Sequence, residues 1–167
     1  MNPPKENNMV LVVYYSRTGN TQKVAEDIAR RLHADSERVT TPNNYEGLFG
    51  LYRGVRDAIK RRPVLINPMV KDPAGYGLVV IGTPIWGKEA SLPMKTWLRQ
   101  YGGKLPARVA YFCTAAGDPA QEHCFESMQS LTGKQPIATL GLQSSLLKAS
   151  KKDIYEKRLS DFLAALK

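Results

Sequence analysis

The stretch Ser16-Arg17-Thr18-Gly19-Asn20-Thr21 gathers three hydroxyl side chains, an Asn and a Gly within six residues. It follows an unbroken apolar run, Met9-Val10-Leu11-Val12-Val13-Tyr14-Tyr15. It precedes Val24, Ile28 and Leu32, which recur every four residues with Ala25 beside them. The apolar run reads as a strand buried on both faces. The later spacing reads as one apolar stripe on a helix. A helix start presents unpaired backbone N–H groups and the positive end of its dipole, so it attracts anions. The hydroxyls add donors, and Gly19 permits a tight turn. The stretch is therefore suited to hold a phosphate, with Arg17 and Lys23 nearby as optional cations. An ordinary strand-to-helix turn with a Ser, Thr or Asn cap would use the same residue types. Neither G-x-x-x-x-G-K-[ST] nor G-x-G-x-x-G accompanies the strand.

Two further stretches stand at strand ends. Gly82-Thr83-Pro84-Ile85-Trp86-Gly87-Lys88-Glu89-Ala90 follows the apolar Leu78-Val79-Val80-Ile81 and reads as a loop with Trp86 at its tip. A large aromatic on a loop must pack or stack on something to leave water. Folding back over its own helix is one way to do so. Cys113-Thr114-Ala115-Ala116-Gly117-Asp118 ends the run Val109-Ala110-Tyr111-Phe112-Cys113.

The elements that must position these stretches alternate between strand and helix. Strands are expected over 9–15, 36–40, 78–81, 109–113 and 137–142. The second is polar, as befits a sheet edge. Leu48, Leu51, Tyr52, Val55 and Ile59 have helical spacing, and the same helix carries Arg53, Arg56, Lys60, Arg61 and Arg62 before Pro63 ends it. Ser91 is a plausible cap with Pro93 in the first turn of the next helix. Asp118 caps another, with Pro119 and Gln121 in its first turn and Gly133 at its end. Tyr155, Leu159, Phe162, Leu163 and Leu166 define a final helix. This alternation argues for a parallel sheet covered by helices on both faces.

Composition sets outer bounds. The chain has 167 residues, 43% of them hydrophobic, enough for one domain with a proper core. No apolar stretch approaches a membrane span, and no membrane association is expected. Residues 1–8 are polar, neither signal peptide nor anchor, and are expected to be a disordered lead-in to a single domain over 9–167. The two cysteines, Cys113 and Cys124, lack C-x-x-C or metal-ligand spacing, so a reducing, cytoplasmic setting with free thiols and no metal is expected. His33 and His123 are isolated and read as surface or packing residues. The net charge of +9 points to acidic partners, nucleotides or an anionic surface, and equally fits a solvated face.

In order and context, the three stretches resemble the flavodoxin family, a likeness spanning Met9 to the last helix. The resemblance implies a three-layer α/β sandwich whose five-stranded parallel sheet runs in the order 2-1-3-4-5. Ligands of such sheets bind where the strand order reverses. It implies flavin mononucleotide (FMN) as cofactor, its phosphate held by Ser16, Arg17, Thr18, Gly19, Asn20 and Thr21. The flavin ring would lie against Thr83, Pro84, Ile85, Trp86 and Gly87, with Trp86 stacking, and against Thr114, Ala115, Ala116, Gly117 and Asp118. The chain departs from the family in two respects. Electron-carrying flavodoxins are typically acidic, whereas this chain is basic. Many members carry a second aromatic where this chain has Ala115 and Ala116. A phosphatase of similar fold would need an Arg six residues after its Cys, and position 119 is Pro. A response regulator would need an Asp where Gly82-Thr83 stands.

Three functions remain open on sequence alone: a flavin electron carrier, an FMN-dependent NAD(P)H:quinone-type oxidoreductase, and a binding module that has lost the flavin. No side chain stands out as a general acid or base. The expected partners are a redox protein with an acidic surface, or NAD(P)H with a small acceptor such as a quinone. Nucleic acid is disfavoured, because the basic helix offers no stacking platform.

Overall fold

The computed structural model describes residues 7–42, 49–50, 52–53, 56, 64–117 and 121–167. Five parallel strands form the sheet: β1 (Val10–Tyr14), β2 (Asp35–Arg38), β3 (Leu78–Trp86), β5 (Arg108–Ala115) and β6 (Ala138–Gln143). Their spatial order is β2-β1-β3-β5-β6, which is 2-1-3-4-5 when only the parallel strands are counted. A short β4 (Glu89–Ala90) pairs antiparallel with the end of β3. The polar strand Asp35–Arg38 is at an edge, as its composition requires.

Successive strand residues face opposite sides, so the apolar runs feed two cores. Leu11, Val13, Val79, Ile81 and Tyr111 face one core, closed by α2 (Leu92–Tyr101) and α3 (Gln121–Thr132) through Met94, Trp97, Leu98, Cys124 and Met128. Val12, Tyr14, Val80, Ala110 and Phe112 face the other, closed by α1 (Asn20–Leu32) and α4 (Lys152–Ala164) through Val24, Ile28, Tyr155, Leu159 and Phe162. Each large apolar side chain so enclosed stabilises the fold by about 1.5–3 kcal/mol before entropy is counted.

The stretch expected as a loop over 82–90 is instead largely strand. β3 continues through Pro84 beside β5, then Ile85 and Trp86 turn into a hairpin with β4. Pro84 is accommodated because the strand leaves the sheet there and needs fewer ladder donors. The hairpin tip is Gly87-Lys88, at φ of 65° and 99°, so Trp86 is the last residue of β3 and not the tip. Positive φ at both positions is what a two-residue type I′ hairpin turn requires.

Ser91 does stand at the cap position of α2. Its side chain makes no cap bond to α2, because it is engaged with the Thr83 hydroxyl, 3.1 Å away. Pro93 does occupy the first turn, and Gly133 follows α3 at a φ of 66°. Most of the expected basic helix near 47–62 lies outside the described residues. Residues 49, 50, 52, 53 and 56 are helical, with Tyr52 and Arg53 exposed. Lys60, Arg61 and Arg62 lie outside the described residues, as do residues 1–6 of the expected lead-in and the cap pair Asp118-Pro119. Among the described residues, no helix is long and apolar enough to cross a membrane.

Candidate functional site

The turn after β1 is built from within. Ser16 is buried, and its hydroxyl accepts a hydrogen bond from the Gly19 N–H at 3.1 Å. Gly19 stands at the start of α1 with a φ of 93°, in the left-handed region that glycine enters without strain, and no side chain caps the helix. The first intrahelical bond runs from the Lys23 N–H to the Gly19 carbonyl. The N–H groups of Thr18, Asn20, Thr21 and Gln22 therefore meet no acceptor among the described residues. A Cβ added at Gly19 would meet open space. Arg38, on the edge strand β2, secures the turn from below by donating to the Ser16 carbonyl at 2.8 Å.

The three stretches named from sequence meet at the carboxyl ends of β1, β3 and β5. The Thr21 hydroxyl lies 2.8 Å from that of Thr114, with both residues buried, so the start of α1 is fastened to the end of β5. The Thr83 hydroxyl accepts from the Ser91 N–H at 3.0 Å and fastens the β3 hairpin to the start of α2. Lys95 on α2 pairs with Glu89 on β4 and holds its carboxyl below its ordinary value. The Trp86 indole packs edge-to-face on the Tyr15 ring, with centroids 5.8 Å apart.

Between these ends lies a cleft of about 610 Å³. Arg17, Thr18 and Asn20 line it from the first turn, Pro84, Ile85 and Trp86 from the second, and Thr114, Ala115 and Ala116 from the third. Ser16, Gly19, Thr21 and Thr83 stand behind these walls as the groups that shape them. Gly87 turns the hairpin, Gly117 is exposed beyond Ala116, and Asp118 lies outside the described residues. Trp86 thus packs on Tyr15 and also faces the cleft, and does not fold back over its own helix.

A fourth wall comes from Ser144, Ser145, Leu147 and Lys148, in and just after the 3-10 turn Ser144–Leu147 that follows β6. The sequence reading did not include these residues. Two serines and a Lys directly after the last apolar strand were the available signal.

The two cysteines are free and buried. Contact with the Cys124 thiol, together with burial, pushes the Cys113 thiol far up, so it stays protonated and unreactive at neutral pH. Among the described residues, no three His, Cys, Asp or Glu side chains come together as metal ligands.

No protein-family model and no curated protein sequence matches the chain. Solved structures do. A flavoprotein from Lactobacillus acidophilus, crystallised in complex with FMN, superposes with a TM-score of 0.69 at 22% identity, over 90% of this chain and 97% of that one. A Bacteroides eggerthii protein described as a flavoprotein gives 0.71 at 20% identity, over 92% and 97%. The two-electron reduced flavodoxin of Megasphaera elsdenii gives 0.53 at 19% identity, over 95% and 98%. Strand order, helix placement and these superpositions agree, and the chain has the flavodoxin-like α/β fold.

Proposed function

We propose that the chain binds FMN in the cleft and transfers electrons through it. The observation that carries this reading is the composition of the cleft. One end offers backbone N–H groups without acceptors and an open glycine at the start of α1. The remainder offers a half-buried indole and the apolar side chains of Pro84, Ile85, Ala115 and Ala116 at the strand ends. An anion suits the first, and a flat aromatic ring suits the second. The unpaired backbone N–H groups of Thr18 and Asn20 at the open turn of Gly19 would receive the phosphate, while Ile85, Trp86 and Ala115 would receive the ring. The Lactobacillus acidophilus relative in complex with FMN supports the same choice by likeness of fold.

A bound flavin would supply one-electron and hydride chemistry. The chain's own contribution is to bind and orient the flavin, to exclude water with Trp86, and to fix the backbone of the turns. Fold alone does not distinguish a carrier from an enzyme. An oxidoreductase acting on NAD(P)H and a quinone-type acceptor is the second reading. It is favoured by Ala115 and Ala116, whose small side chains leave room for a second flat molecule. In either case a protein partner would present an acidic face to this chain, given its net charge of +9.

The test is the chromophore of the purified protein. A yellow protein whose released cofactor co-elutes with FMN is the expected result. A released FAD, or a colourless protein that takes up no flavin, would overturn the reading. Adding NAD(P)H to the loaded protein then separates the two roles: a carrier stays yellow, and an oxidoreductase is bleached.

A further inference from the structure

The turn Ser144–Leu147 is fixed to the site at several points. Asn20 donates to the Ser144 hydroxyl at 3.1 Å, and Ser144 donates in turn to the Ala115 carbonyl at 3.0 Å. Lys23 donates to the Leu147 carbonyl at 2.9 Å, and Leu146 is buried in the core beneath. The turn is thereby tied both to the first turn of α1 and to the end of β5. Two helix-terminal side chains on α1, Asn20 and Lys23, are committed to this attachment and not to a ligand.

The consequence is electrostatic. Lys148, directly after the turn, lines the same cleft as Arg17. Neither has a carboxylate partner among the described residues, and no carboxylate lines the cleft among them. Two like charges on one confined cleft repel each other, and an anion placed between its walls relieves that repulsion. Other lysines of the chain, such as Lys95 and Lys157, do have acidic partners.

We propose that Ser144–Lys148 is a fourth wall of the flavin site, and that Lys148 selects a phosphorylated flavin over an uncharged one. This rests on the FMN reading above. A phosphate monoester carries about −1.5 to −2 charges at neutral pH, so it gains from a nearby ammonium, whereas riboflavin has no charge to offer. Lys148 is exposed, so its replacement leaves the folded core intact.

Equilibrium dialysis of FMN and of riboflavin against the wild type, Lys148→Gln and Lys148→Arg tests the assignment. Lys148→Gln is expected to weaken FMN about tenfold, the size of one hydrogen bond to a charged group, and to leave riboflavin within about twofold. Lys148→Arg should restore FMN binding. The difference between wild type and Lys148→Gln should shrink at 1 M salt, where the screening length is about 3 Å. Unchanged FMN affinity in Lys148→Gln would overturn the role of Lys148 while leaving the flavin reading intact. Equal loss of FMN and riboflavin would overturn the selection of phosphate. A wild type that binds neither would overturn the flavin reading and this assignment with it.

Discussion

Gly82 illustrates how one residue protects the site from a distance. It pairs with Tyr14 on one side and Phe112 on the other, just before β3 carries Pro84, Ile85 and Trp86 to the cleft. A Cβ there would lie 1.9 Å from the Phe112 ring, which is fully buried and has nowhere to retreat. Gly82→Ala is therefore expected to destabilise the fold by about 1–3 kcal/mol, read as a lower denaturation midpoint. A midpoint equal to the wild type would show that Phe112 repacks freely. At this scale the sequence was informative wherever the function is local. Ser16 to Thr21 are contiguous, so their residue types announce an anion-binding turn without any knowledge of the fold. Ser144 and Lys148 did not announce themselves in this way, because what brings their turn to the cleft is the Asn20–Ser144 and Lys23–Leu147 bonds, each spanning 124 positions of sequence. Ser16 and Thr21 were legible as members of the turn. That their hydroxyls would bond Gly19 and Thr114 depends on packing that residue type does not encode.

Among the elements, the parallel strands followed from apolar runs and the edge position of the second from its polarity, while their order came from the resemblance to the flavodoxin family. The extension of β3 did not, since Gly82 and Pro84 are poor strand formers and the pairing with β5 holds residues 82–84 extended. The edge strand is also fastened by a titratable pair. The Tyr76 hydroxyl donates to the Asp35 carboxylate at 2.7 Å, linking β2 to the segment entering β3. That bond pushes the Tyr76 hydroxyl up from 10.0 to about 12, and holds the Asp35 carboxyl below its ordinary value. The Tyr76 contribution is full below pH 10.0 and is lost as pH rises through about 12. The Asp35 contribution is present above its unfolded-state value and fades as pH falls through its lower folded one. Tyr76→Phe is thus expected to flatten the decline in stability between pH 10 and about 12, followed by denaturant midpoints across that range. An alkaline slope identical to the wild type would place the titrating group elsewhere.

For the whole molecule, one sheet gathers four strand ends around a single cleft, and that convergence is what makes the chain a candidate flavoprotein. The topology was readable because alternating strands and helices admit few arrangements, and ligands of such sheets bind at the reversal of strand order. The number of walls was not readable, since sequence gives no measure of how near β6 comes to the first turn of α1. The two tryptophans offer a direct probe, because Trp86 faces the cleft while Trp97 is buried in the core under α2. The measurement is a titration of the flavin-free protein with FMN, followed by tryptophan emission, for the wild type and for Trp86→Phe. Binding in the cleft predicts quenching that saturates at one FMN per chain in the wild type, with most of the quenchable emission gone in Trp86→Phe. Emission that stays unchanged while FMN passes freely through an ultrafilter would contradict it.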